Sequence, residues 1–211
     1  MGTALVWGVT GGIGKAVAAE LLRRGWVVLG TTRSTMAPDM AGVHLLTADV
    51  ADPLSVRQAV FNAAQEVEQL DLLVYAAGDI VAAPIGEMAP EDFGRMISTN
   101  LTGAYLAVHH SLPLLAPDAP IVLIGAIQER LRLPGLSAYA AAKAGLEAFA
   151  EALGKEERKR RVLLVRPGAV DTPLWQKVPL KLPPNALEAD EVAIRLFKAV
   201  EAGEKGVLDL T

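Results

Sequence analysis

The sequence predicts one α/β domain, a doubly wound parallel sheet of about seven strands with helices on both faces. Three features lead to it. Short apolar runs rich in β-branched residues recur without polar alternation, as strands buried on both faces do. Longer Ala- and Leu-rich stretches with helical spacing separate them. A glycine-rich turn, GVTGGIG, joins the first run to the first helical stretch. No internal repeat or low-complexity linker divides the 211 residues.

ALVWG (4–8) reads as the first strand, and Ile13 to Arg24 as a helix stopped by Gly25. WVVLGT (26–31) and VHLLTA (43–48) are the second and third strands. The next helix starts near Pro53, with Asp52 as N-cap and proline at the first helical position. DLLVYA (71–76) is the fourth strand, Pro90 to Leu115 one long helix, and IVLIGA (121–126) the fifth strand. Ala138 to about Lys155 is helical with Ser137 as its cap, and VLLVRP (162–167) is the sixth strand. A helix over Ala189 to Ala202 and a strand, GVLDL (206–210), close the domain. The proline-rich piece from Asp171 to Glu188 is expected to loop over a pocket, with Leu174, Trp175, Val178 and Leu180 as an apolar lid.

Composition narrows the function. The chain is 52% hydrophobic and 21% charged, which suits a packed core and excludes general disorder. A net charge of -4 gives no global basic field for nucleic acid or anionic lipid. The basic run KEERKRR (155–161) is read as a solvated helix end. Without cysteine there are no disulfides, thiolate metal sites or thiol nucleophile. The N-terminal residues do not read as a signal peptide. The uncharged stretch from Met96 to Pro117 contains Asn100, His109, His110 and Pro113, as a buried amphipathic helix does, rather than a membrane span. A cytoplasmic protein is expected. His109 and His110 have no acidic partner at ligand spacing, so no metal site is expected.

Three features carry chemistry. Gly8, Gly12 and Gly14 sit between a strand and a helix, where bare backbone N–H groups can approach a pyrophosphate at the helix N-terminus. After the second strand comes Thr31-Thr32-Arg33-Ser34, hydroxyls and a guanidinium in place of the acidic residue that favours NAD. Arg33 and Ser34 suit the 2′-phosphate of NADP(H). Tyr139 and Lys143, four apart on a helix, would share one face, where an ammonium favours the ionised form of a phenol. Tyr139 could then act as general acid and base on a carbonyl or alcohol.

With these residues in place, the chain from ALVWGVTGGIG to VLLVRPGAVDTP resembles the short-chain dehydrogenase/reductase family, whose fold is Rossmann-like. Its glycine motif falls on Trp7 to Gly14, with Trp7 where the family has threonine; Thr10 and Ile13 are implied cofactor contacts. The resemblance assigns Asp49 and Val50 to the adenine. The family's Asn-Asn-Ala-Gly appears as Tyr75, Ala76, Ala77 and Gly78. Asn100 matches the asparagine that supports a water-mediated proton relay. Tyr139 and Lys143 match the catalytic pair, with Lys143 also holding the nicotinamide ribose. Pro167, Gly168, Val170 and Thr172 match the stretch that packs against the nicotinamide and its carboxamide. The resemblance further implies a homodimer or homotetramer through the helices beginning near Pro90 and Ala138.

One part is missing. The family's serine, which hydrogen-bonds the reacting carbonyl, falls on Ala126, and no Ser or Thr lies between Ser111 and Ser137. Gln128, whose amide could donate, is a candidate substitute. The leading reading is an NADP(H)-dependent oxidoreductase acting on an activated carbonyl such as a quinone, diketone or pterin-like ring. The alternative is a catalytically impaired NADP(H)-binding protein, a sensor or interaction partner, which Ala126, Trp7 and the loss of the family's Asn-Asn at Tyr75-Ala76 favour. A nucleic-acid binder has only KEERKRR behind it.

Overall fold

A computed structural model describes residues 2–34 and 40–211. The chain begins with β1 (Thr3–Trp7), α1 (Gly12–Arg23), β2 (Val27–Thr32) and β3 (Val43–Thr47). Then follow α2 (Pro53–Glu66), β4 (Leu72–Tyr75), α3 (Pro90–Ile97) and α4 (Gly103–Ser111). β5 (Ile121–Ile124), α5 (Ser137–Glu156) and β6 (Val162–Pro167) precede two short strands, β7 (Val170–Asp171) and β8 (Leu187–Glu188). α6 (Ala189–Glu201) and β9 (Gly206–Leu210) end it. The seven-stranded sheet has the order β3-β2-β1-β4-β5-β6-β9, and every pairing is parallel. The expected doubly wound fold is therefore present. No helix among the described residues is long and apolar enough to cross a membrane.

Alternation along each strand builds two cores. Leu5, Trp7, Leu73, Tyr75, Leu123 and Leu164 face one side, under α2, α4 and α5. Ala4, Val6, Val74, Val122 and Val165 face the other, under α1 and α6. Both sides of every central strand are buried, which explains the continuous apolar runs in the sequence. Asp52 caps α2 as expected, accepting from the Leu54 amide at 3.0 Å, with Pro53 at the first helical position.

Three local expectations are corrected. The helix expected over Pro90 to Leu115 runs without a gap to Leu114 but changes to a π-helical turn at Ser98–Thr102 between α3 and α4. Side chains inserted into its backbone explain the change. The Tyr75 hydroxyl donates to the Thr99 carbonyl at 2.6 Å, and Asn100 Nδ2 donates to the Met96 carbonyl at 3.0 Å. Gly103 makes room, since a Cβ there would overlap the Tyr75 hydroxyl. Ser137 is not a cap; it is the first residue of α5, and Leu136 precedes it without a side-chain bond. The helix starts early because the Leu136 carbonyl accepts from Ala140, and Leu136 is buried against Ile80 and Tyr139. The piece after Asp171 is not wholly irregular, for β7 and β8 pair across its ends.

Candidate active site

The strand order reverses between β1 and β4, and the crevice beyond their carboxyl ends is where such sheets take ligands. A cleft of about 600 Å³ opens there. Thr10, Gly12 and Ile13 line it from the turn after β1, and Ala76, Ala77 and Gly78 from the end of β4. Ala126 follows β5, Tyr139 and Lys143 come from α5, and Pro167, Gly168, Val170 and Thr172 continue from β6. Leu174, Trp175, Val178 and Leu180 also line it, and Trp175 Nε1 donates to the Leu180 carbonyl at 2.9 Å.

The turn after β1 needs its glycines. Gly8 has φ +79°, a left-handed conformation that disfavours side chains. A Cβ on Gly14 would overlap the Gly8 carbonyl oxygen, and one on Gly12 would overlap the Thr172 methyl. Gly8 and Gly14 thus shape the turn without lining the cleft. The N-cap of α1, Gly11, makes no side-chain bond and the first turn holds no acidic residue. Its leading N–H groups have no intrahelical acceptor and face the cleft with the positive end of the helix dipole. This arrangement fits the pyrophosphate of a dinucleotide.

Tyr139 and Lys143 enter the cleft from the same face of α5, both buried. Lys143 Nζ lies 5.6 Å from the centre of the Tyr139 ring and donates to the Ile124 carbonyl at 2.9 Å. Burial pushes the phenol up to about 12 and the ammonium down to about 8. The expected lowering of the phenol by its neighbour does not appear, and desolvation alone moves it. A consequence can be measured. The Lys143 value is about 8 in the folded protein against an ordinary 10.5, so the folded state binds fewer protons between those values. The cost of the buried charge is fully present below pH 8 and is relieved as pH rises toward 10.5, on the order of 3 kcal/mol. Lys143→Met is expected to flatten the rise in Tm that this side chain contributes across that window. An unaltered pH slope would contradict the burial of a charged Lys143.

Asn100 lies behind the lining. It is fully buried, with Nδ2 donating to the carbonyls of Asp79 at 2.9 Å and Met96, and Oδ1 without a partner among the described residues. Gly78 leaves room for that oxygen. Asp79, whose carbonyl Asn100 holds, ties the segment after β7 to α3. Its carboxylate meets Lys177 of that segment at 2.5 Å and Arg95 of α3 at 3.2 Å. Burial would raise this carboxyl, yet the bonds from Lys177 and the Ile80 amide, with Arg95 beside it, hold it below the usual range.

Other expected residues lie outside the cleft. Arg33 and Ser34 are exposed just past the end of β2. Asp49 is exposed beyond β3, its carboxylate accepting from the Ala51 amide, while Val50 is buried in the core. Gln128 lines a separate hollow with Glu129, Arg132, Ala140 and Glu147, and its Nε2 is buried without a partner among the described residues. His109 stacks on Tyr105, and no metal-binding cluster occurs among the described residues. The sequence reading missed Asp79, Lys177 and Arg130; Asp79 and Lys177 lie 98 residues apart, and no spacing signal links them.

A family model described as short chain dehydrogenase matches residues 2–182. The chain belongs to the short-chain dehydrogenase family. Its relatives in that family are oxidoreductases. It is 28% identical over 186 residues to 2-dehydro-3-deoxy-L-rhamnonate dehydrogenase (NAD(+)) of Sphingomonas sp. strain SKA58, covering 83% of this chain and 75% of the relative. It is 30% identical over 184 residues to the NADPH-dependent pterin aldehyde reductase of Arabidopsis thaliana, covering 82% and 76% respectively. Among solved structures, a short chain dehydrogenase from Burkholderia cenocepacia J2315 in complex with NADP is 26% identical with a TM-score of 0.87. That match covers 98% of this chain and 95% of the other.

Proposed function

We propose that the protein is an NADP(H)-dependent oxidoreductase that interconverts a carbonyl and an alcohol on a small molecule, with Tyr139 as general acid and base. The observation that carries this is the meeting of the buried Tyr139 and Lys143 with the uncapped start of α1 in one cleft. The bound dinucleotide supplies or accepts the hydride. Thr10, Gly12 and Ile13 would hold its pyrophosphate, Asp49 and Val50 would flank the adenine, and Pro167 to Thr172 would pack on the nicotinamide. In reduction, the Tyr139 phenol, fully protonated at neutral pH, gives its proton to the carbonyl oxygen. In oxidation, the Tyr139 oxygen takes that proton back. Lys143 would trade its bond to Ile124 for the ribose, and Asn100 holds the π-turn behind it.

The relatives differ in cofactor, one named for NAD(+) and one for NADPH, so the chain's own residues must decide. Arg33 is exposed after β2 where an acidic residue would favour NAD, and it suits a 2′-phosphate. Titration of each dinucleotide by fluorescence is expected to give NADPH at least about tenfold tighter binding than NADH, as one charge-assisted bond allows. Arg33→Ala should erase the difference. Equal binding by the wild-type protein would overturn the cofactor assignment.

A further inference from the structure

We propose that the substrate carries a carboxylate, which Arg130 grips at the mouth of the cleft while its carbonyl faces Tyr139. This rests on the oxidoreductase reading and names the substrate class, an oxo acid and the corresponding hydroxy acid. In reduction the oxo carbon gains a hydride from NADPH and its oxygen gains the Tyr139 proton, leaving the hydroxy acid and NADP. The charges lining the cleft carry the inference. Arg130, Lys143, Lys177 and Lys181 line it, and no Asp or Glu does among the described residues. Two of the four cations are engaged: Lys143 with the Ile124 carbonyl and Lys177 with Asp79. The Arg130 guanidinium makes no ion pair or side-chain hydrogen bond among the described residues.

Position separates Arg130 from the phosphate cradle. It ends the 3-10 turn Gln128–Arg130, on the same connection from β5 to α5 that carries Ala126 and leads to Tyr139. The cradle follows β1, two places away in the order β1-β4-β5, or roughly 10 Å across the sheet. Arg130 Nη1 lies 2.9 Å from where a Cβ of Gly168 would stand, so the exposed guanidinium lies beside that glycine at the mouth of the cleft. Ile127, Leu131 and Leu133 on the same connection also line the cleft. A planar fork with paired N–H donors matches the two oxygens of a carboxylate. Such a grip would fix the carbonyl by position where Ala126 offers no hydrogen bond. Lys181, also on the cleft wall, adds long-range attraction for the same charge.

The test compares pyruvate and acetoacetate with their methyl esters as oxidants of NADPH, in wild type, Arg130→Gln and Arg130→Lys. The wild-type protein is expected to prefer the acids by about 10- to 100-fold in kcat/KM, mostly through KM. Arg130→Gln should bring the acid-to-ester ratio near one, and Arg130→Lys should recover part of it. A second readout needs no turnover: binding of the unreactive carboxylate oxamate to the NADP-loaded protein, followed by calorimetry and by tryptophan fluorescence. Oxamate should bind wild type and weaken at least about tenfold in Arg130→Gln. Esters favoured over acids, or a ratio unmoved by Arg130→Gln, would overturn the carboxylate site while leaving the oxidoreductase reading intact. Oxamate binding that depends on Arg130 without NADPH oxidation by any compound would sustain the anion site and sink the oxidoreductase reading.

Discussion

Tyr139→Phe is expected to lower the rate of carbonyl reduction by about 100- to 10,000-fold, the usual range for removing a positioned general acid. The phenol is the group that the sequence pattern and the cleft together single out for that proton transfer. It is 8% exposed, inside the cleft, and burial keeps its proton on at neutral pH. Removing one hydroxyl leaves the ring and its contacts with Ile80 and Leu136, so the fold should persist. Thermal unfolding and NADPH titration on the same sample would separate lost chemistry from lost structure. A variant that binds NADPH and reduces as fast as wild type would remove Tyr139 from the mechanism.

Ala126→Ser is expected to act in the opposite direction. A preorganised donor on a developing oxyanion is worth about 100- to 1,000-fold in rate. Ala126 lies in the cleft just after β5, with only 8% of its surface exposed, so a hydroxyl there would point among few competing solvent molecules. The gain should be largest for plain ketones, whose oxygen needs the most polarisation. It should be smaller for carbonyls activated by a neighbouring electron-withdrawing group. Kinetics of wild type and variant on a matched ketone and diketone would show this as a change in ratio. Equal rates for the wild-type and Ala126→Ser proteins on every carbonyl would mean that another donor already serves the oxygen.

The alternation of buried strands with helices was legible because a parallel sheet covered on both faces leaves no polar positions in its strands. The glycine turn and the Tyr139–Lys143 pair were legible because their spacing is local. What escaped was set by contacts between distant residues. Nothing around Asn100 announces a π-turn; it arises from Tyr75, 24 residues earlier, donating to Thr99. Trp7 and Tyr75 stand opposite each other on β1 and β4, and the space for the Tyr75 hydroxyl comes from Gly103 on α4. Gln128 looked like a stand-in donor by its place in the chain, but the 3-10 turn carries it into another hollow. The same turn carries Arg130 into the cleft, two residues on, which the polar run QER could not distinguish.

The proposed function depends on Tyr139 and Lys143 forming a working carbonyl-reducing site although Ala126 supplies no hydroxyl. NADPH absorbance during incubation with oxo acids, diketones, quinones, pterins and aldehydes reads this out, with wild type beside Tyr139→Phe at matched NADPH occupancy. Oxidation by at least one carbonyl class is expected in wild type, and its loss in the variant. NADPH bound by both proteins and oxidised by neither would refute the proposed function.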